Sequence, residues 1–197
     1  MFENKAIQKN ISAGGDVAGR DINNFYGAST TRFQHWFQKL ATEIEQDKRY
    51  NKTIDNLKYY ETVLDGTKGL KEKLNDGGRT SEEISKAIRQ KQKFAKKQEK
   101  YKYYESAQWI NSHLFAEILL LFEDKVKPRI EEGCDKQTIL STVAELVVRP
   151  MLNKLNIEGS DDDYLGYDAE DIYGMIYYLT GGCHINWKDY SNVQPSI

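Results

Sequence analysis

From residue 31 onward, apolar side chains return every three or four positions almost to the end of the chain. In RFQHWFQKLATEIEQDKRYNKTIDNLKYYETVL, the positions Phe33, Trp36/Phe37, Leu40, Ile44, Ile54, Leu57, Tyr60 and Leu64 fall at helical intervals. Ser29, Thr30 and Thr31 stand ready as N-caps, Gly66 and Gly69 punctuate the pattern, and NDGGR (Asn75 to Arg79) reads as a turn. Thr80 followed by Glu83 fits a capping box, in which hydroxyl and carboxylate satisfy free amides at a helix start. The spacing then predicts a helix from Ser81 to Lys127, stopped by Pro128, because the residue before a proline is pushed away from helical geometry. At ~1.5 Å per residue that rod would be about 70 Å long. This exceeds a small domain's width, so a break near Glu105–Ser106 is expected. Asp135 caps a further helix, Lys136 to Leu146 or beyond, which Pro150 ends or kinks. An acidic loop, Glu158 to Tyr167, leads to a last helix started by Asp168 and running through Leu179. Gly181-Gly182 should close it, with glycine at the left-handed position. CHINW (Cys183 to Trp187) follows as an extended segment.

The first thirty residues follow another rule. In NISAGGDVAGRDIN, Ile11, Val17 and Ile22 recur every five or six residues among Gly14, Gly15, Asp16, Gly19 and Asp21. The glycines permit tight turns or positive φ, and the aspartates favour turn geometry. Between them sit β-prone apolar residues, one for each very short strand. One chain of this pattern cannot bury three such side chains, nor pair its own strand edges. Several copies can do both, with Arg20 bridging Asp16 or Asp21 of a neighbour. Self-association as a homo-oligomer is therefore the leading reading. A flexible tail, or one folded back on the helical part, is the alternative. The expected fold class is mainly α: a helical domain with long amphipathic helices at 29–197, preceded by a short Gly-rich β-type oligomerisation module and linker at 1–28.

Composition narrows the function classes. The 197 residues carry a formal net charge of −2, with 13 Tyr and 7 Phe supplying large buryable surface. Charge is polarised along the chain: residues 1–133 hold 24 basic against 20 acidic side chains, and residues 134–197 hold 4 against 10. A dedicated DNA-binding domain would show a stronger basic excess. No run reaches the roughly 18 apolar residues needed to span a bilayer, and MFENKAIQKN lacks the core of a secretory signal. Two distant cysteines are no disulfide framework, so the cytoplasm is the expected compartment.

Three stretches invite chemistry. Lys86, Arg89, Lys93, Lys96/Lys97 and Lys100 fall at helical spacing beside Tyr101, Tyr103 and Tyr104. Such a stripe can neutralise phosphates while rings stack on bases, which makes nucleic-acid binding the alternative function. Its plainer reading is a solvated helix face whose other side, with Ile84, Ile88, Phe94 and Tyr101, packs inward. The loop GSDDDYLGYDAED starts like a calcium loop, but Leu165 stands at a ligand position and Ile172 where the bidentate Glu belongs. Cys183-His184 could form a nucleophile pair or two zinc ligands, yet neither the remaining ligands nor a base and oxyanion site are announced by the sequence. His184 and Trp187 are better read as locking the closing segment onto the helices. Without a P-loop, dinucleotide fingerprint, GxSxG or HExxH, the chain is expected to be no enzyme and to need no cofactor or metal.

YESAQWINSHLFAEI (Tyr104 to Ile118) and DAEDIYGMIYYLTGGCHINW (Asp168 to Trp187) resemble the C-terminal domain carried by components of ABC-three-component bacterial conflict systems. GMIYYLTGGCHINW is the most specific part, and the resemblance spans about residues 33–190. It implies a chain acting with an ABC-type ATPase and a small middle component against phage or other invaders. In that family an effector module often precedes the domain; here only the GGDVAGRDI element does, itself similar to GDVAGRDI-type stretches ahead of other prokaryotic conflict-system proteins. Neither resemblance supplies a catalytic residue. Together they imply an assembly or adaptor component that self-associates through its N-terminal element. Its helical domain would present the region around Ile172, Met175, Tyr178, His184 and Trp187 to a partner protein.

Overall fold

The computed structural model describes residues 30–64, 68–160 and 162–189. The proposed self-association residues Ile11, Gly14, Gly15, Asp16, Val17, Gly19, Arg20, Asp21 and Ile22 lie outside them. The described residues are all helix, turn and loop: α1 (Arg32–Glu45), α2 (Asp55–Glu61), α3 (Leu70–Asp76), α4 (Ser81–Tyr101), α5 (Glu105–Leu121), α6 (Lys127–Glu131), α7 (Lys136–Val143), α8 (Arg149–Glu158) and α9 (Ala169–Gly181). The mainly α class holds for the described residues.

Local chemistry sets the starts. The Thr31 hydroxyl accepts the Gln34 amide, and Thr80 and Glu83 form the capping box that opens α4. Asp135 accepts the amides of Gln137 and Thr138, and Asp168 accepts that of Asp171. The long helical run does break, at Lys102–Tyr104. There the Gln108 side chain donates to Lys102 O at 2.7 Å and to Lys52 O at 3.0 Å, while its Oε1 accepts the Ile54 amide at 2.7 Å. One buried glutamine thus ties the bend to the loop between α1 and α2.

The expectation that Pro128 stops its helix needs correction, as does the ending of the two alternatives for Pro150. Neither Pro128 nor Pro150 ends a helix: five-residue π-helical turns, Phe122–Val126 and Ala144–Val148, carry the chain through into α6 and α8. A proline has no N–H to donate, and its ring clashes with the carbonyl four residues back. The widened turn moves that carbonyl aside, and the preceding residue bonds five back instead: Lys127 to Phe122 O, and Arg149 to Ala144 O. α5 to α6 and α7 to α8 are therefore two continuous rods.

The closing glycines are corrected as well. Gly182 has φ −82°, and the left-handed residue is Cys183, at φ 66°. Cys183 N–H reaches Thr180 O and His184 N–H reaches Leu179 O, the two bonds of a Schellman cap displaced one residue past the glycines.

α5 runs through the centre, burying Ala107, Ile110, Leu114, Phe115 and Ile118 together with Gln108 and Asn111. α1 covers it with Phe33, Phe37 and Leu40, and α2 with Leu57. The longest seam joins α4 to α9. It closes because position 174 is glycine: a Cβ there would stand 2.5 Å from Gln90 O and 2.7 Å from Phe94 Cβ.

Candidate functional site

The residues that the sequence singles out converge on the α4–α9 seam, and the seam uses them differently from each expectation. Lys93 donates to Asp168 at 2.8 Å and to Glu170 at 3.2 Å. Lys97 donates to Asp171 at 2.6 Å and to Gly166 O at 3.0 Å, with its ammonium 5.0 Å from the centre of the Tyr167 ring. Asp171 is fully buried, and its second oxygen has no partner among the described residues. Two of the five cations proposed for nucleic acid are thus spent on the first turn of α9. That turn places three carboxylates where the helix dipole favours negative charge. Lys100 lies over the Tyr101 ring, and Lys86 and Arg89 are exposed. Among the described residues, what remains without an ion pair is Lys86 and Arg89 near the start of α4 and Lys96 and Lys100 further along, interrupted by the paired Lys93 and Lys97.

The bond from Lys93 holds its own ammonium above the usual lysine value. Burial pushes the Asp168 carboxyl up, but Lys93 and the Asp171 amide outweigh it and leave the group below the ordinary carboxylate range. Tyr167, half-buried and bonded through its hydroxyl to Asn111 at 2.6 Å, is held well above the ordinary phenol value by its loss of solvent. The acidic loop is built inward too: Asp162 accepts the amides of Tyr164, Leu165 and Gly166.

The proposed partner-binding residues also need correction. Ile172 and Met175 are fully buried because α9 is apolar on almost every side, and His184 and Trp187, in the closing segment after it, are nearly so. Tyr178 is half-buried, stacked on Phe115 at 5.5 Å and edge-on to Phe94. Trp187 donates to the Thr180 hydroxyl at 3.0 Å, with the Arg79 guanidinium over its ring. His184 donates through Nε2 to Thr62 O at 3.1 Å, and burial lowers its pKa, so it sits neutral. These side chains fasten the closing segment.

The surface beside them is what solvent meets. The Leu64 amide bonds to Gly182 O, laying the end of α2 across the α9 cap. Tyr59, 52% exposed, packs on His184, while Val63 at 66% and Leu64 at 36% complete an apolar patch. A second surface joins α1 to α5: Trp36 stacks on Trp109 at 5.6 Å, with Arg32 over both rings and His113 at the edge. Sequence reasoning missed Trp109, Arg32 and the end of α2. The available signal was spacing, since Arg32/Trp36 and Trp109/His113 are each four apart and so share a helix face.

The model of C-terminal domain 9 of the ABC-three component (ABC-3C) systems matches residues 69–187. The chain belongs to this ABC-three-component family. The match opens at the cap of α3 and closes on Trp187, so it holds both sides of the α4–α9 seam and the closing segment that Trp187 anchors. Helices α1 and α2 precede the matched range, although the resemblance read from the sequence began at about residue 33. They pack on α5 all the same. No curated protein and no solved structure matches the chain. Among the described residues no helix is long and apolar enough to cross a membrane.

Proposed function

We propose that this ABC-three-component domain protein is a non-catalytic assembly component of an antiviral system. In this reading, residues 10–26 gather copies of the chain, and the helical domain binds a partner protein, an ABC-type ATPase or a small middle component. The observation that carries it is the family match over residues 69–187. The docking face in this reading is not the buried side chains of α9 and the closing segment but the apolar patch beside His184. Tyr59, Val63 and Leu64 are large apolar groups held by the α9 cap and facing solvent, and apolar clusters of this kind mark interaction surfaces more often than isolated exposed side chains do.

Two measurements test the two halves. Light scattering compares the full chain with one starting at Thr30: the full chain should be oligomeric and the shorter one monomeric. If both are monomers at micromolar concentration, the self-association half is wrong. For the second half, Val63→Asp with Tyr59→Ser should keep the wild-type helical spectrum and lose co-purification with a co-expressed ABC-type ATPase or middle component of an ABC-three-component system. Undiminished co-purification would remove the α2 patch from the reading.

A further inference from the structure

The turn after α3, the start of α4, α7 and α9 line a half-open cavity of about 270 Å³, whose lining shares no residue with the α4–α9 charge staples or the α2 patch. Its lining includes Arg79, Lys86, Tyr173, Tyr177 and Glu83, with Leu140 among the apolar residues of the wall.

What distinguishes it is an imbalance of donors. The Arg79 guanidinium lies over Trp187, its centre 4.6 Å from the ring centre. None of its N–H groups has an acceptor among the described residues, and Nη2 is buried without one. Arginine offers five N–H donors, has no acceptor and does not deprotonate in proteins, so a half-buried guanidinium with one N–H group unmet, and only the field of the already paired Glu83 as counter-charge, is costly. Loss of solvent already lowers its pKa. The hydroxyls of Tyr173 and Tyr177, whose rings lie nearly parallel 6.4 Å apart, also lack partners among the described residues. Burial holds both phenols above their ordinary value, so both keep their O–H. Lys86 has no ion pair there either. Glu83 is the single carboxylate in the lining, and it is committed elsewhere: it accepts the Thr80 amide at 2.6 Å and Lys136 at 3.2 Å.

Counting Lys136 against Glu83, the cavity keeps two uncancelled positive charges, from Arg79 and Lys86, with two phenolic donors beside them. A carboxylate would cancel one of those charges; a phosphate monoester, which carries close to two negative charges at neutral pH and three terminal oxygens, matches the set. Stacked tyrosines and Leu140 offer an apolar wall for the organic part, and the volume lies just below the range of drug-sized pockets.

We infer that this cavity binds a phosphoryl-bearing small molecule, with Arg79 at its base, Lys86 at its rim, and Tyr173 and Tyr177 donating to its oxygens. The probe is inorganic phosphate, titrated into the full chain at constant ionic strength, with acetate as the carboxylate arm and chloride as the control. Phosphate should raise the melting temperature with saturation, and acetate should do so far less. Arg79→Met, which keeps an apolar stem on Trp187, and Tyr177→Phe, which removes one donor without changing shape, should each weaken binding. Loss of a charge-assisted hydrogen bond predicts roughly tenfold to a hundredfold for Arg79, and loss of a neutral one about tenfold or less for Tyr177. If Arg79→Met does not fold, Lys86→Ala and Tyr177→Phe carry the test. The inference is overturned if phosphate and chloride act alike on the wild-type chain. It is equally overturned if acetate binds as tightly as phosphate, or if the folded variants keep wild-type affinity.

Discussion

Replacing Lys97 with methionine should cost this protein a large part of its stability, although lysines in a helical charge stripe usually tolerate exchange. Its ammonium stands 2.6 Å from the carboxylate of Asp171, whose side chain is wholly enclosed. At an effective dielectric constant near 20, two unit charges at that separation attract by about 6 kcal/mol, a gross value that the desolvation of both groups largely offsets. The net worth of the pair is therefore small. Breaking it is another matter, because Asp171 would keep a single backbone partner, the Asp168 amide at 3.0 Å, for a charge sealed from water. Removing one member of a buried pair typically costs about 3–5 kcal/mol, against a total stability on the order of 5–15 kcal/mol for a domain.

Urea unfolding followed by far-ultraviolet dichroism measures this directly. With an m-value of about 2 kcal/mol/M, the midpoint should fall by on the order of 2 M. Lys96→Met, one residue along and exposed, should change stability by less than about 0.5 kcal/mol. The double variant Lys97→Met/Asp171→Leu should recover most of the loss, since an apolar pair leaves no stranded charge. A Lys97→Met protein as stable as Lys96→Met would refute the reasoning, and with it the assignment of the stripe's centre to structure rather than to ligand.

Two further outcomes follow from the α9 cap. Cys183→Gly should stabilise the protein by about 1 kcal/mol in the same assay, because a side chain at φ 66° carries left-handed strain that glycine does not; a loss of stability would show that the thiol or its Cβ contacts matter more than the strain. Burial lowers the pKa of both His184 and His113 from the ordinary value near 6.5. The unfolded chain then binds more protons than the folded one as pH falls below that value. Stability should drop on going from pH 7.5 to 5.5 and then level off below the folded-state values. His184→Gln, which keeps a donor for Thr62 O, should flatten part of that slope, and an unchanged slope would place the effect elsewhere.

Legibility in the sequence followed the range of each interaction. Thr31, Thr80/Glu83, Asp135 and Asp168 act within three residues of themselves, so their caps could be read directly from spacing. The bend between α4 and α5 was legible as a necessity of length, but not its place, which depends on Gln108 reaching Lys52 and Lys102. Pro128 and Pro150 misled because a proline's effect depends on whether the preceding turn can widen, and the packing of α5 and α7 allows it to. The family was legible because GMIYYLTGGCHINW is a local phrase. Its side chains were assigned to a surface for want of knowing what covers them, and α2, more than a hundred residues earlier, is what covers His184.

The same limit of range explains why the basic stripe and Arg79 changed places in importance. A lysine on a helix face looks available in a sequence because its neighbours at three and four positions are the only partners that spacing reveals. Lys93 and Lys97 find theirs about seventy-five residues away, on a helix whose dipole had already gathered carboxylates at its start. Arg79 looks like part of a turn, one charge after two glycines, and carries no periodic signal at all. Yet the fold packs it against Trp187 and gives it no ion pair among the described residues, only the field of Glu83, which is itself bonded to Lys136. A cation that the protein has neutralised says how the domain is held together. One half-buried with an N–H group unmet is a binding free energy left open for a ligand, and on that ground Arg79, with only Lys86 of the stripe beside it, is where a molecule from outside would be recognised.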